Sequence, residues 1–232
     1  MSHNMLSMTR PGSSSKIRRC CRATVWLLVP ILLLSACGCE TIQPHDDDLA
    51  KSYYLHSFKD LGNLGRVALV ELDNRSGYPN ISTDLTDALF VAMQKEQLFG
   101  LSVVHQDDPA WRGLQENLDS LQALKQLLAM RDALKCNALL VGTVTQYQPY
   151  PDMIIGLRLK LYDLTDSELL WGMEHVWDAS DVNVRQRIHR YARGELRSSS
   201  GPLEDEMIVK SPLRFGRFVA YEVAETLKPK EE

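Results

Sequence analysis

The sequence has 232 residues, 44% of them hydrophobic, with 26 Lys and Arg against 30 Asp and Glu. Five of the bases and none of the acids fall in residues 1–36, so the remainder carries a net charge of about −9 and repels nucleic acid and anionic headgroups. Nucleic-acid binding is thereby excluded as the main activity, and the roughly 200 residues left suffice for one domain of ordinary size.

The chain opens on a leader. The basic run Lys16-Ile17-Arg18-Arg19 precedes an apolar run from Ala23 to Ala36 that contains Val25, Trp26, Leu27, Leu28 and Leu32 and is interrupted by Pro30. Charge, apolar stretch and small residues in that order predict a signal peptide over residues 1–36. The apolar run is short of the ~20 residues that a helix needs to cross a bilayer, which tells against a transmembrane anchor. Met5 and Met8 are both alternative starts, because the leader is long before its basic run.

At its end, Leu34-Ser35-Ala36-Cys37 closely resembles the bacterial lipobox. The resemblance implies cleavage before Cys37 and acylation of its thiol and new N-terminus with palmitate-type chains; the alternative is an ordinary secretory signal with a coincidental cysteine. One acyl chain binds a membrane marginally, whereas two or three bind it firmly. Gly38 stands where an Asp would favour inner-membrane retention, so the resemblance implies the outer membrane, facing the periplasm. Cys20 and Cys21 would leave with the leader, so only Cys39 and Cys136 remain. A disulfide between them is allowed in an oxidising compartment, as is a buried thiol at Cys136 plus a tail thiol or second acylation site at Cys39.

Residues 37–52 read as a flexible tether, poor in apolar side chains and acidic at Asp46, Asp47 and Asp48. His45 with those carboxylates is either a cation site or a solvated run. Residues 53–232 are expected to form the domain. Arg66 to Leu72 reads as a buried strand ending in the polar loop Asp73 to Pro79. Ser82 to Gln97, with Leu85, Leu89 and Met93 at steps of four, predicts a helix capped by Ser82 or Thr83. Leu101 to Val104 is a second strand, Asp119 to Leu134 a second helix, and Ala138 to Val144 a third strand. That alternation predicts parallel pairing.

Beyond it, Met153 to Asp163 and Glu168 to Trp177 alternate apolar and polar residues and predict an antiparallel hairpin around Thr165-Asp166-Ser167. A three-residue loop places Leu161 opposite Trp171, Leu159 opposite Met173 and Arg158 opposite Glu174; a two-residue loop would put Lys160 against Trp171. A basic helix comes next, from Asp181 to about Tyr191, then a mobile loop near residues 194–208. Ser211 and Pro212 start a last helix whose apolar face is Phe215, Phe218, Val219 and Val223.

Several of these segments resemble a known pattern. Asp73-Asn74-Arg75-Ser76-Gly77 after a strand, and Phe99-Gly100-Leu101-Ser102-Val103-Val104, resemble the N-terminal half of a group of envelope proteins. Cys136 to Val144, Leu159-Lys160-Leu161-Tyr162-Asp163 and Leu169-Leu170-Trp171 resemble its second half. The group includes the curli-secretion channel lipoprotein, the Pel exopolysaccharide-export lipoprotein, the lipoprotein activators of penicillin-binding proteins and the N-terminal domain of the Tol translocation protein. The resemblance implies an α/β domain like the anticodon-binding fold, with helices on a mixed sheet. It also implies action through partners or ring assembly, without catalysis. Long amphipathic hairpins like those of the curli channel are missing, so a self-made pore is not expected.

No nucleophile elbow, zinc-ligand spacing or phosphate-cradling loop is present, so neither metal nor cofactor is expected. Glu174, His175, Asp178 and Asp181 form the nearest approach to an acid/base cluster, although Glu174 and His175 point to opposite faces of a strand. His189, on the basic helix, either meets an acidic partner or is solvated. The candidate partner-binding residues are Asp73, Asn74, Arg75, Tyr78, Tyr147 and Tyr150, which come after buried strands where α/β sheets carry binding surfaces. The tyrosines suit stacking on sugar or protein, and turn chemistry explains them equally. The sequence therefore points to a non-catalytic, lipid-anchored accessory or assembly factor of the envelope. A periplasmic hydrolase or carbohydrate-binding protein is the alternative.

Overall fold

The computed structural model describes residues 52–57, 59–109, 131–195 and 202–228. The lipobox, the tether up to residue 51 and Cys39 with it lie outside the described residues, as does all of the expected second helix except its helical last residues, 131–134.

The elements in chain order are β1 (Tyr53–Leu55), β2 (Arg66–Val70), β3 (Asp73–Asn74), α1 (Ile81–Glu96), β4 (Gly100–Val104), β5 (Ala138–Gln148), β6 (Ile154–Asp163) and β7 (Leu169–Asp178), then α2 (Val182–Gly194), α3 (Pro202–Lys210) and α4 (Pro212–Glu225). They form one α/β domain on a mixed seven-stranded sheet of order β1-β7-β6-β5-β2-β4, with β3 also paired to β5. Pairing is parallel between β2 and both β4 and β5, as strands separated by helical crossovers require, and antiparallel from β5 through β6 and β7 to β1.

The hairpin has the register of the three-residue loop: Arg158 faces Glu174, Leu159 faces Met173 and Leu161 faces Trp171. Ser167 at φ 70° lets the chain reverse there. A bulge between Leu161 and Tyr162 shifts the next pair to Tyr162 and Leu169. Leu170, which strict alternation puts on the polar face, is thereby turned inward and fully buried.

Helices α1, α2, α3 and α4 contribute to a core on one face of the sheet, around Trp171, Trp177, Phe215 and Phe218, all fully buried. Each large apolar side chain so removed from water contributes ~1.5–3 kcal/mol. The opposite face of β2 carries Ala68 and Val70, which join Val104, Cys136, Leu139 and Leu164 in a smaller cluster. Cys136 is a free thiol in that cluster, and burial pushes its pKa up. On β5, a side chain at Gly142 would meet Leu159 Cδ2 at 2.3 Å and Leu72 Cδ2 at 2.8 Å. Glycine thus lets two leucines close over the strand. Gly142→Val is expected to cost about 1–3 kcal/mol through overpacking, read as a lower denaturant midpoint at unchanged slope.

Two helix boundaries differ from the sequence reading. Asn80 occupies the cap position of α1, while the Thr83 hydroxyl donates to Glu71 Oε1 at 2.6 Å and that of Ser82 to Pro79 O at 3.5 Å. The hydroxyls tie the helix to the preceding strand and loop and do not cap it. Within the expected mobile loop, Pro202–Lys210 is helical, with Glu204 and Asp205 in the first turn and Lys210 in the last, as the helix dipole favours. Residues 196–201 lie outside the described ones. For α4, Ser211 is the cap, its Oγ accepting from Arg214 N, and Pro212 takes the first helical position.

The start of the domain is strapped to the β7 edge. Glu174 N donates to Ser52 O at 3.1 Å and His56 N to Leu170 O at 2.8 Å, on either side of β1. Lys59 Nζ then reaches Asp163 Oδ2 and Glu168 Oε2 at 3.0 Å each, and Asp166 as well, clamping the segment onto the β6–β7 turn.

Candidate functional site

Four of the six candidate residues belong to one loop. After β2 the chain bends through Glu71 and Leu72 and pairs again with β5, Asp73 opposite Thr143 and Asn74 opposite Val144. Arg75 N then donates to Val144 O at 3.1 Å. Asn74 organises the loop as far as Tyr78. Its Oδ1 accepts from Ser76 N at 2.8 Å and Ser76 Oγ at 2.7 Å, and its Nδ2 donates to Tyr78 O at 2.7 Å. An Asx turn of this kind fixes the loop without any regular element.

The loop is thereby held against the end of β5. Tyr78 meets Tyr147 edge to face, with ring centroids 5.1 Å apart and planes at 86°. Burial raises the Tyr147 hydroxyl pKa, and the Asp84 carboxylate and Tyr78 raise it further. Asp73 and Arg75 form an exposed pair at 3.6 Å, which adds little stability but presents both charges to solvent. Asp73, Asn74, Arg75, Tyr78 and Tyr147 therefore form one surface. Tyr150 lies beyond the end of β5, 83% exposed, without a ring contact to the other two tyrosines.

The acid/base candidates are not brought together. Arg158 grips Glu174 on the solvent face of the sheet, through Nε at 2.9 Å and Nη2 at 2.7 Å, and holds its carboxyl below the usual range. His175 lies on the other face, edge-on to Trp177 at 4.7 Å. Asp178 Oδ1 accepts from Ser180 N at 2.8 Å, and Asp181 caps α2 by accepting from Asn183 N at 2.7 Å. Each carboxylate is committed to a turn, a cap or an ion pair. His189 is engaged within the chain, its Nδ1 2.7 Å from Asp205 Oδ2 on α3. Among the described residues no group of three or more His, Cys, Asp and Glu is placed to hold a metal ion.

Sequence reasoning missed a buried polar network joining β7, α2 and α4. Trp177 Nε1 donates to Glu222 Oε2 at 2.6 Å, and Arg187 Nε donates to Glu222 Oε1 at 2.8 Å. Glu222 lies four residues after Phe218 and seven after Phe215, on the apolar face of α4. A carboxylate at such a position requires a buried donor, and that is the signal that would have found the network.

No protein-family model and no curated protein matches the chain. Among solved structures it is similar to the PelC dodecamer from Paraburkholderia phytofirmans, at 11% identity and a TM-score of 0.47 over 77% of this chain and 96% of that one. Lipoprotein GNA1162 from Neisseria meningitidis is similar at 14% identity and a TM-score of 0.39, over 59% of this chain and 99% of that one. Escherichia coli LpoB is similar at 18% identity and a TM-score of 0.37, over 50% of this chain and 58% of that one.

Proposed function

We propose that the chain is a lipid-anchored protein of the outer membrane, facing the periplasm. It acts without catalysis, as an accessory or assembly factor in cell-envelope biogenesis or polymer export, by holding a protein partner or further copies of itself. Cys37 carries the lipid, residues 37–52 form the tether, and residues 53–232 form the working domain.

The observation that carries this reading is the fate of the acid/base candidates: Glu174, Asp178 and Asp181 all serve the fold. The lipobox at Leu34 to Cys37 supports the anchor. A loop fixed by Asn74 and faced with Tyr78 and Tyr147 supports contact with a partner, because rigid, partly exposed tyrosines are efficient interface groups.

Metabolic labelling with palmitate in a bacterial host tests the anchor. The wild type is expected to take up label and to fractionate with the outer membrane, whereas Cys37→Ser stays unlabelled and keeps its leader. Label retained by Cys37→Ser, or an unlabelled wild type in the soluble fraction, would remove the anchor from the proposal.

A further inference from the structure

The helical layer carries two unlike faces. On α1, Asp84 and Asp87 are exposed and make no ion pair among the described residues, whereas the next charges along are matched. Lys95 pairs with Glu195, and Lys228 pairs with Glu96 at 2.8 Å and with Glu225. A groove of about 400 Å³ runs between α1 and α4, and its wall includes Asp84, Asp87, Val91, Leu213, Arg217 and Tyr221. Val91 and Leu213 are 65% and 57% exposed, so the groove presents apolar surface to water beside the two carboxylates.

The exposed residues of α2 are Val182, Asn183, Arg185, Gln186, Arg190, Arg193 and Gly194, a basic face without an acid. The acids of helix α3, packed beside it, are engaged within the chain, and Arg185 and Arg193 of that face make no ion pair among the described residues. Asp205 is held by His189 at 2.7 Å, Glu204 by Arg214 at 2.5 Å and Glu206 by Lys210 at 3.2 Å. Arg185 donates Nε to Ala179 O at 2.9 Å and is itself exposed.

We propose that the arginine face of α2 in one copy docks into the groove between α1 and α4 of the next, so that the chain assembles head to tail. The inference rests on the self-assembly branch of the proposed function. Guanidinium groups pair with carboxylates through planar, two-pronged hydrogen bonds and stack on aromatic rings, and the groove offers Asp84, Asp87 and Tyr221 for both. Burial, and after it Glu225 and Glu195, push the Tyr221 hydroxyl up to about 12, so the ring stays neutral and available for stacking. Val182, 63% exposed on the arginine face, supplies an apolar partner for Val91. Two different surfaces of one chain meet in this contact, so it is heterologous and repeats into a closed ring or a filament.

Sedimentation velocity on the full chain in a non-ionic detergent tests the interface. The unaltered protein is expected to exceed monomer size at low salt and to dissociate as salt rises. Asp84→Arg with Asp87→Arg, and separately Arg185→Glu with Arg193→Glu, should each weaken association at least about tenfold. All four changes together exchange the charges and should restore association to within about threefold of the original. Circular dichroism confirms that each variant is folded. Assemblies unmoved by either reversal would overturn this interface while leaving self-assembly in place. A chain that is monomeric at every concentration and salt would overturn both. Failure of the folded four-fold variant to recover would overturn the charge pairing.

Discussion

Replacing Glu222 with alanine is expected to destabilise the domain by about 3–5 kcal/mol, because it leaves Arg187 charged and buried without its counter-ion. The Arg187 side chain is 9% exposed and that of Glu222 7%, and Nη2 of Arg187 finds no acceptor among the described residues. Losing Glu222 also orphans the indole N–H of Trp177. In a domain of this size the loss corresponds to a fall of roughly 10 °C in melting temperature, measurable by calorimetry. Glu222→Gln, which keeps an acceptor for both donors, is expected to lose less.

The same carboxyl makes stability depend on pH. Burial pushes its pKa above the usual 4.5, against the pull of Arg187 and Trp177. Folding therefore favours its protonated form. The group's contribution is fully present below pH 4.5 and declines as pH rises through the folded value, and Glu222→Gln should remove that slope from the stability profile.

Phe218→Ala is the second large effect, at about 3–5 kcal/mol, since the ring is fully buried and the cavity left cannot collapse between packed helices. Its ring lies between those of Tyr191 and Phe215, at centroid distances of 5.6 and 5.9 Å, and it holds α2 against α4. Urea unfolding reads the change directly. Val91→Ala, on the groove wall and 65% exposed, should stay within about 0.5 kcal/mol and serves as the control.

The hairpin was the most legible part of the chain, because two alternating runs and a three-residue turn leave few registers that bury both Trp171 and Leu159. The bulge that turns Leu170 inward was not legible, since it preserves the apolar content of the strand and changes only which face the residue meets. Helix α3 was hidden behind Ser198-Ser199-Ser200-Gly201, whose composition reads as loop and which runs directly into Pro202. Strand β1 has three residues, too few for a period, and its place is set by backbone pairing with β7. For the candidate surface, Tyr78 and Tyr147 are 69 positions apart in sequence, and only the second pairing of the chain with β5 brings them together. The groove between α1 and α4 was equally invisible, being a product of helix packing.

The strap at the start of the domain has a mechanical consequence. A pull on the residues before Ser52, directed along β1, meets backbone hydrogen bonds that lie across the line of force, since antiparallel ladders run perpendicular to their strands. Those bonds are loaded together in shear and do not open one after another. Behind them Lys59 grips the β6–β7 turn through three carboxylates, so the far end of the strap resists slipping as well. Tension entering at Ser52 is thus spread over the β7 edge and on into the sheet.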